Sequence, residues 1–291
     1  MKRILLNLCL LCLFGFQAFA EDAPSSEKIA EIQKAAEQGN AAAQNTLGNC
    51  YAAGTGVTAD KVEAVKWYRK AAEQGYDVAQ FDLGLSYMAG TGVTKDISEA
   101  AKWYRKAAEQ GLPYAQYNLG GCYVKGTGVV KDEVEAVKWY RKAADQWYAI
   151  ALFNLGVCYM KGIGVEKDEV EAVKWYRKAA EQGYSDALNS LGVCYYKGTG
   201  VAKDAVEAVK WYRKAAEQGN ADAQCALGSC YAYGRGVVKN RVVAYMWFDL
   251  SAKAGDVHAE EGRDKLAKEM TPEQIAAATN ESIIEGTCYA A

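Results

Sequence analysis

Cysteine is the residue type that most invites a chemical reading of this sequence. Cys50, Cys122, Cys158, Cys194 and Cys230 recur at separations of 36 residues or a multiple of it. A row of thiols could hold a soft metal, store redox equivalents or form bridges. Ser25 and Lys28 spell S-x-x-K, the acylation motif of penicillin-recognising enzymes, which would make Ser25 a nucleophile. Carboxylates stand three apart at Asp60 and Glu63, Asp96 and Glu99, and their equivalents, a spacing open to acid–base work. Gly54-Thr55-Gly56-Val57 and its copies suggest a phosphate loop. Against these stands the single histidine, His258, which removes most zinc sites and most histidine-based catalysis.

The elements that must position these groups decide among the readings. W-Y-R-K-A-A-E-Q-G begins at Trp67, Trp103, Trp175 and Trp211, with a variant at Trp139, and cutting at the 36-residue period gives six units: 41–76, 77–112, 113–148, 149–184, 185–220 and 221–256. Counting positions from 1 within a unit, apolar residues at 3, 7 and 11 recur at helical spacing, so positions 1–13 are predicted to form a first helix. Gly at 14 ends it, and G-x-G-V makes the turn. Asp at 20 is predicted to cap a second helix over positions 21–34, with Glu at 23 as the other half of a capping box. Each hairpin buries too little alone and is stabilised by stacking, which predicts an all-α, right-handed α-solenoid of antiparallel helix pairs.

Within that frame most of the chemistry dissolves. A carboxylate pair repeated at every helix start is structural. The G-T-G-V turns join two helices, with no Gly-Lys-Ser/Thr following, so turn chemistry accounts for them. Stacked first helices lie ~8–10 Å apart, too far for a bridge between neighbouring ladder thiols, so the cysteines read as small buried residues. Ser25-x-x-Lys28 lacks any K-T-G or S-D-N companion and reads as a helix start. Basic residues at positions 26, 29 and 30 alternate with acids at 23 and 33, a solvated face rather than a polyanion site.

The pattern A-x-x-x-L-G-x-x-Y-x-x-G-x-G-V-x-K-D-x-x-E-A-x-K-W-Y-x-K-A-A-E-Q-G resembles the Sel1-like repeat, a relative of the tetratricopeptide repeat. The resemblance implies an adaptor or binding surface, with first helices lining the inner curve. Some members staple each unit with paired cysteines, and disulfide-rich members have been linked to β-lactams. Position 10 here has no regular partner, so the staple does not carry over, and a β-lactam- or cell-wall-acting enzyme using Ser25 stands as the alternative to a non-catalytic scaffold. A redox or metal-binding ladder of thiols is a third reading.

The ends differ from the middle. Lys2 and Arg3, the apolar stretch 4–16 and Ala18-Phe19-Ala20 read as a signal peptide over 1–20, cleaved between Ala20 and Glu21. Cys9 and Cys12 fall inside it. The expected mature chain has 32 basic and 36 acidic residues, no footprint for nucleic acid and no further membrane span. Export predicts a periplasmic or secreted bacterial protein, here read as a monomer with no cofactor or metal. Residues 21–40 read as a linker and half-repeat cap, and 257–291 as C-terminal capping helices. Cys225 and Cys288 stand off the ladder as a candidate disulfide.

Differences between units are where a recognition surface can be found. Positions 2, 5, 9 and 12 form a second stripe on the first helix, small and polar in unit one but apolar in the middle: Val78, Phe81, Leu85; Tyr114, Tyr117; Ile150, Phe153, Val157, Met160. Trp147 occupies position 35, where the other units have Gly. These ten residues are the predicted partner-binding set, for a protein or peptide lying along units two to four.

Overall fold

The computed structural model describes residues 26–279, and every regular element among them is an α-helix. Ser26–Glu37 comes first. Six pairs of 13-residue helices follow: Ala41–Ala53 and Lys61–Glu73, Asp77–Ala89 and Ile97–Glu109, Pro113–Lys125 and Glu133–Asp145, Ala149–Lys161 and Glu169–Glu181, Ser185–Lys197 and Ala205–Glu217, Ala221–Tyr233 and Arg241–Lys253. Val257–Ala267 and a helical segment over 272–279 complete the described chain. The contacts divide into two compact units, Met1–Asp132 and Glu133–Ala291, with the boundary between the two helices of repeat three. Within each unit, helices pack consecutively in chain order, the packing of an α-solenoid.

Each first helix stops at a glycine in the left-handed region. Gly54 has φ 75°, and its N–H and that of Thr55 both reach the Cys50 carbonyl, at 2.8 and 3.0 Å. The ladder cysteines therefore sit where their own carbonyls end the helix. The second helices of the first five repeats follow an aspartate: the Asp60 side chain accepts from the N–H of Val62 and Glu63 at 2.9 and 3.0 Å, Asp96 and Asp204 repeat this, and Asn240 takes the same role in repeat six.

The expected capping box is not formed. The N–H of Asp60 donates to the Tyr51 carbonyl at 2.9 Å, and Asp96, Asp168, Asp204 and Asn240 do the same to Tyr87, Tyr159, Tyr195 and Tyr231. With that donor already satisfied across the turn, the glutamate at position 23 pairs forward with the lysine at 26, as in Glu63–Lys66 at 2.7 Å and Glu99–Lys102 at 2.6 Å. These lysines are exposed, so solvent screens the pairs and they add little to stability.

Two glycine contacts decide how closely the helices approach. At position 8, a Cβ on Gly84 would stand 2.7 Å from the Tyr104 ring of the same repeat, and one on Gly192 would stand 2.5 Å from Tyr212. At position 16 the clash is with backbone of the previous repeat: a Cβ on Gly92 would lie 1.9 Å from the Lys61 carbonyl oxygen, and Gly128 meets Ile97, Gly200 meets Glu169 and Gly236 meets Ala205 in the same way. The second glycine of G-x-G thus serves the junction between repeats as well as the turn.

Across that junction Trp103 packs with Ala64, Val65, Tyr68, Ala71 and Ala72 of repeat one and with Ala79 and Leu83 of its own. The indole N–H groups of Trp67, Trp103, Trp139, Trp175, Trp211 and Trp247 are buried without an acceptor among the described residues. An unmet donor costs ~1–3 kcal/mol. Burying ~200 Å² of ring contributes roughly 5 kcal/mol as an upper bound, so packing wins. Lys70 and Lys106 cover the outer faces of Trp67 and Trp103, each 3.8 Å from the ring centre.

Arginine at position 29 departs from the solvated-face expectation. Arg69 donates to the hydroxyl of Tyr87 in the next repeat at 2.6 Å, Arg105 to Tyr123 at 2.6 Å and Arg177 to Tyr195 at 2.9 Å, with Arg141–Tyr159 and Arg213–Tyr231 alike. At the C-terminal end, Asp249 takes this position and pairs instead with Lys253 at 2.7 Å and Arg263 at 3.5 Å, tying down the closing helix.

The glycine contacts generate a test. Gly111→Ala meets nothing within 4 Å and suffers only its left-handed backbone, φ 102°, so it should cost ~1 kcal/mol. Gly92→Ala adds a clash with fixed backbone and should cost at least twice as much in urea denaturation. Equal midpoints would remove position 16 from the repeat junction.

Candidate functional site

The predicted stripe lies in both compact units, and its two parts are described separately. In Met1–Asp132, Val78, Phe81, Leu85 and Tyr117 are half-buried on the first helices of repeats two and three, and Tyr114 is 48% exposed. Phe81 is partly consumed by the scaffold: its ring centre lies 5.7 Å from Tyr104 of its own repeat and 6.2 Å from Tyr114 of the next. In Glu133–Ala291, Ile150, Phe153, Val157 and Met160 are half-buried on the first helix of repeat four. Phe153 lies 5.5 Å from Tyr176 and 5.3 Å from Tyr184 of its own repeat, so the contact with the position-28 tyrosine is the one it shares with Phe81. In each part the stripe is half-covered, and its phenylalanine packs on the position-28 tyrosine of the same repeat.

Trp147 sits elsewhere. It keeps the left-handed conformation of the glycines it replaces, φ 61°, and it is the one non-glycine residue with positive φ among those described. Its cap bonds are the usual ones, Trp147 N–H to the Ala144 carbonyl at 2.9 Å and Tyr148 N–H to Ala143 at 3.2 Å. The cap has not changed geometry to accept the large residue, so the backbone carries the strain. The ring is 59% exposed and edges a shallow hollow of about 500 Å³ lined by Val170, Lys174, Arg177, Lys178 and Glu181 of the second helix of repeat four, with Gly200 and Val201. A hollow of about 540 Å³ at the equivalent place, around Val206, Lys210, Arg213, Lys214 and Glu217, shows that this concavity recurs along the second helices. Its charges are largely engaged: Lys174 pairs with Glu171, Arg177 with Tyr195, and Lys178 covers Trp175.

The thiol ladder has the environment of packed side chains. Cys50, Cys122, Cys158, Cys194 and Cys230 are buried and unbridged, and burial pushes the last four from the ordinary value of 9.0 up to about 11. Among the described residues no group of three or more His, Cys, Asp and Glu converges as a metal site would. Cys225 is half-buried, and its proposed partner Cys288 lies outside the described residues, as do Ser25, Ala20 and Glu21. His258 stands in the first turn of the closing helix, where its N–H donates to Asp256.

Sequence reasoning missed three groups. Arg235 bonds the Tyr196 hydroxyl at 2.5 Å and lies 5.0 Å from the Tyr233 ring, a cation between two tyrosines. Asp186 accepts from Asn220 at 3.0 Å, with burial raising its carboxyl above the usual range. Asn45 and Asp82 meet between the first helices of repeats one and two, where burial raises the Asp82 carboxyl to about 7 against the opposing hydrogen bond from Asn45. Each pairing joins different repeats or the far ends of one, so no local motif announces it.

The geometry can be set beside known proteins. The family model described as Sel1 repeat matches residues 41–76, 77–112, 113–146, 149–184, 185–220 and 221–256, pausing at Trp147 and Tyr148. The chain belongs to the Sel1-repeat family. A Sel1 repeat protein from Oxalobacter formigenes is 40% identical with a TM-score of 0.72, over 78% of this chain and 90% of that one. A protective antigen of uropathogenic Escherichia coli displaying an SLR fold is 29% identical with a TM-score of 0.49, over 91% of this chain and 81% of that one. No curated protein matched. Sel1 repeats generally build protein-interaction scaffolds, and among the described residues no helix is long and apolar enough to cross a membrane.

Two outcomes test this description. Trp147→Gly should raise stability by ~1 kcal/mol in urea denaturation, because the strain relieved exceeds the packing of a mostly exposed ring. A loss of stability would show that the ring is a structural anchor. Native ladder thiols should stay inert to a disulfide reagent at mildly alkaline pH and react only after denaturation. Because their folded pKa values lie above the unfolded value of 9.0, stability should hold below pH 9 and fall as pH rises toward about 11.

Proposed function

We propose that this protein is an exported, non-catalytic scaffold that binds a protein or peptide through the first-helix faces of repeats two to four. The observation that carries the reading is the contrast between conserved architecture and varied stripe within one chain. Positions 8, 11, 14, 16 and 27 repeat in all six units, yet positions 2, 5 and 9 change from Ala42, Asn45 and Asn49 to Val78, Phe81 and Leu85 and then to Tyr114, Tyr117 and Gly121. Packing demands are the same in every repeat, so they do not call for that variation. Half-exposed aromatics held rigid from behind lose little side-chain entropy on binding, which suits them as interface anchors.

Export rests on the basic start, the apolar stretch and Ala18-Phe19-Ala20, and places the mature chain in the periplasm or outside a bacterial cell. Family membership favours a protein partner for a monomeric scaffold, with neither cofactor nor nucleic acid required.

The test is crosslinked capture from the native envelope fraction. Phe81→Ala, Tyr117→Ala and Phe153→Ala together should lower capture at least tenfold while far-UV circular dichroism keeps its helical signal. Since Phe81 and Phe153 also pack internally, Tyr114→Glu serves as a second variant on an exposed side chain. Undiminished capture by both would refute the assignment.

A further inference from the structure

Position 6 of the first helix satisfies itself in three repeats. Thr46 donates to the Ala42 carbonyl at 2.9 Å, Asn118 to Tyr114 at 2.9 Å and Asn154 to Ile150 at 2.8 Å, each four residues back along its own helix. Repeat two has Asp82 there. An ionised carboxylate has no proton to give, so this local solution is closed to it.

Among the described residues its surroundings offer no cation either. Asn45, across the junction in repeat one, is 5% exposed and hydrogen-bonded to the carboxyl, yet its own Oδ1 is buried with no donor. The first helix of repeat one carries no charged residue, and the helix bearing Asp82 adds only Asp77, whose carboxylate accepts from Val78 N–H. On the second helix of repeat one, Lys66, Arg69 and Lys70 are committed to Glu63, Tyr87 and Trp67. On that of repeat two, Lys102, Arg105 and Lys106 are committed to Glu99, Tyr123 and Trp103. The first helix of repeat three brings only Lys125, at its last turn. Lys61, Glu73 and Glu109 complete the charges on these flanking helices. Burial of the carboxyl and the Asn45 bond are the influences felt at Asp82, and no charged group is among them.

We propose that Asp82, backed by Asn45, is a receptor for one basic side chain, a lysine ammonium or arginine guanidinium, of the protein or peptide that docks on the first-helix face. Asp82 keeps part of its surface exposed and is next to Phe81 in sequence, one turn from Val78 and Leu85. A cation seated there would meet a carboxylate lacking a counter-ion, while its apolar neighbours engage the stripe. This deepens the binding reading above and rests on it.

Protonation supplies an independent readout. The free carboxyl, raised to about 7, is largely ionised one pH unit above that value and largely protonated one unit below. A bound cation favours the ionised form, so binding releases a proton, and affinity should fall about tenfold as pH drops from about 8 to about 6.

The experiment selects a histidine-free random peptide display library on the whole mature protein, on Asp82→Asn, and on the Phe81, Tyr117, Phe153 triple alanine variant. Asn occupies position 6 in repeats three and four, so Asp82→Asn should fold. The expected result is enrichment of apolar peptides carrying one fixed Lys or Arg by the native protein. Asp82→Asn should retain the apolar residues and lose the basic one, and its peptide affinities should lose their pH dependence. Identical sequences from both, or the same pH dependence in both, would overturn the receptor and leave the docking face standing. Enrichment unaffected by the triple variant would sink the docking face and the receptor with it.

Discussion

No side chain fits between the second glycine of each turn and the carbonyl that opens the previous repeat's second helix. A Cβ would come within about 2 Å of that oxygen at Gly92, Gly128, Gly164, Gly200 and Gly236. This backbone-to-backbone approach sets the spacing of neighbours within each unit. At that spacing Trp103 reaches the alanines of the preceding second helix, and Arg69 and Arg105 reach the next repeat's tyrosines. Tyr87 is held twice, its carbonyl by Asp96 across its own turn and its hydroxyl by Arg69 from behind. Removing the approach would lengthen all of these contacts together, which is why a solenoid's stability is a property of its junctions.

Repetition also sorts structure from function. The thiols, N-cap aspartates and lysine-covered tryptophans recur with the same partners, so a role in packing accounts for them. A recognition site needs one place unlike its copies, and the first-helix face is where the copies diverge. Position 5 is Asn45, Phe81, Tyr117, Phe153, Asn189 and Cys225 in turn, and position 6 is a self-satisfying donor in three repeats but a carboxylate in repeat two. Trp147 is the other break in symmetry, and it faces the second-helix hollow rather than the stripe.

Helix boundaries were legible because glycine at 14 and aspartate at 20 act within a few residues of themselves, and the 36-residue period announced the stacking. The reading of Glu63 as half a capping box failed for want of one long-range fact, that the Asp60 N–H is taken by the Tyr51 carbonyl. Arg69 looked like a solvent-facing charge because its acceptor lies 18 residues on. The stripe was legible as a pattern, but its burial was not: only the packed structure shows Phe81 and Phe153 leaning on Tyr104 and Tyr176 while Tyr114 stays open.

The sequence alone therefore determined the helix-pair repeat, its caps and the positions free to vary, since each follows from local backbone preference and a period. Tertiary structure decided the repeat-to-repeat bonds, the strained placement of Trp147 and the isolation of Asp82. Those depend on which groups from separate repeats arrive together, and whether a charge has a partner is a property of the assembled neighbourhood rather than of any segment of chain.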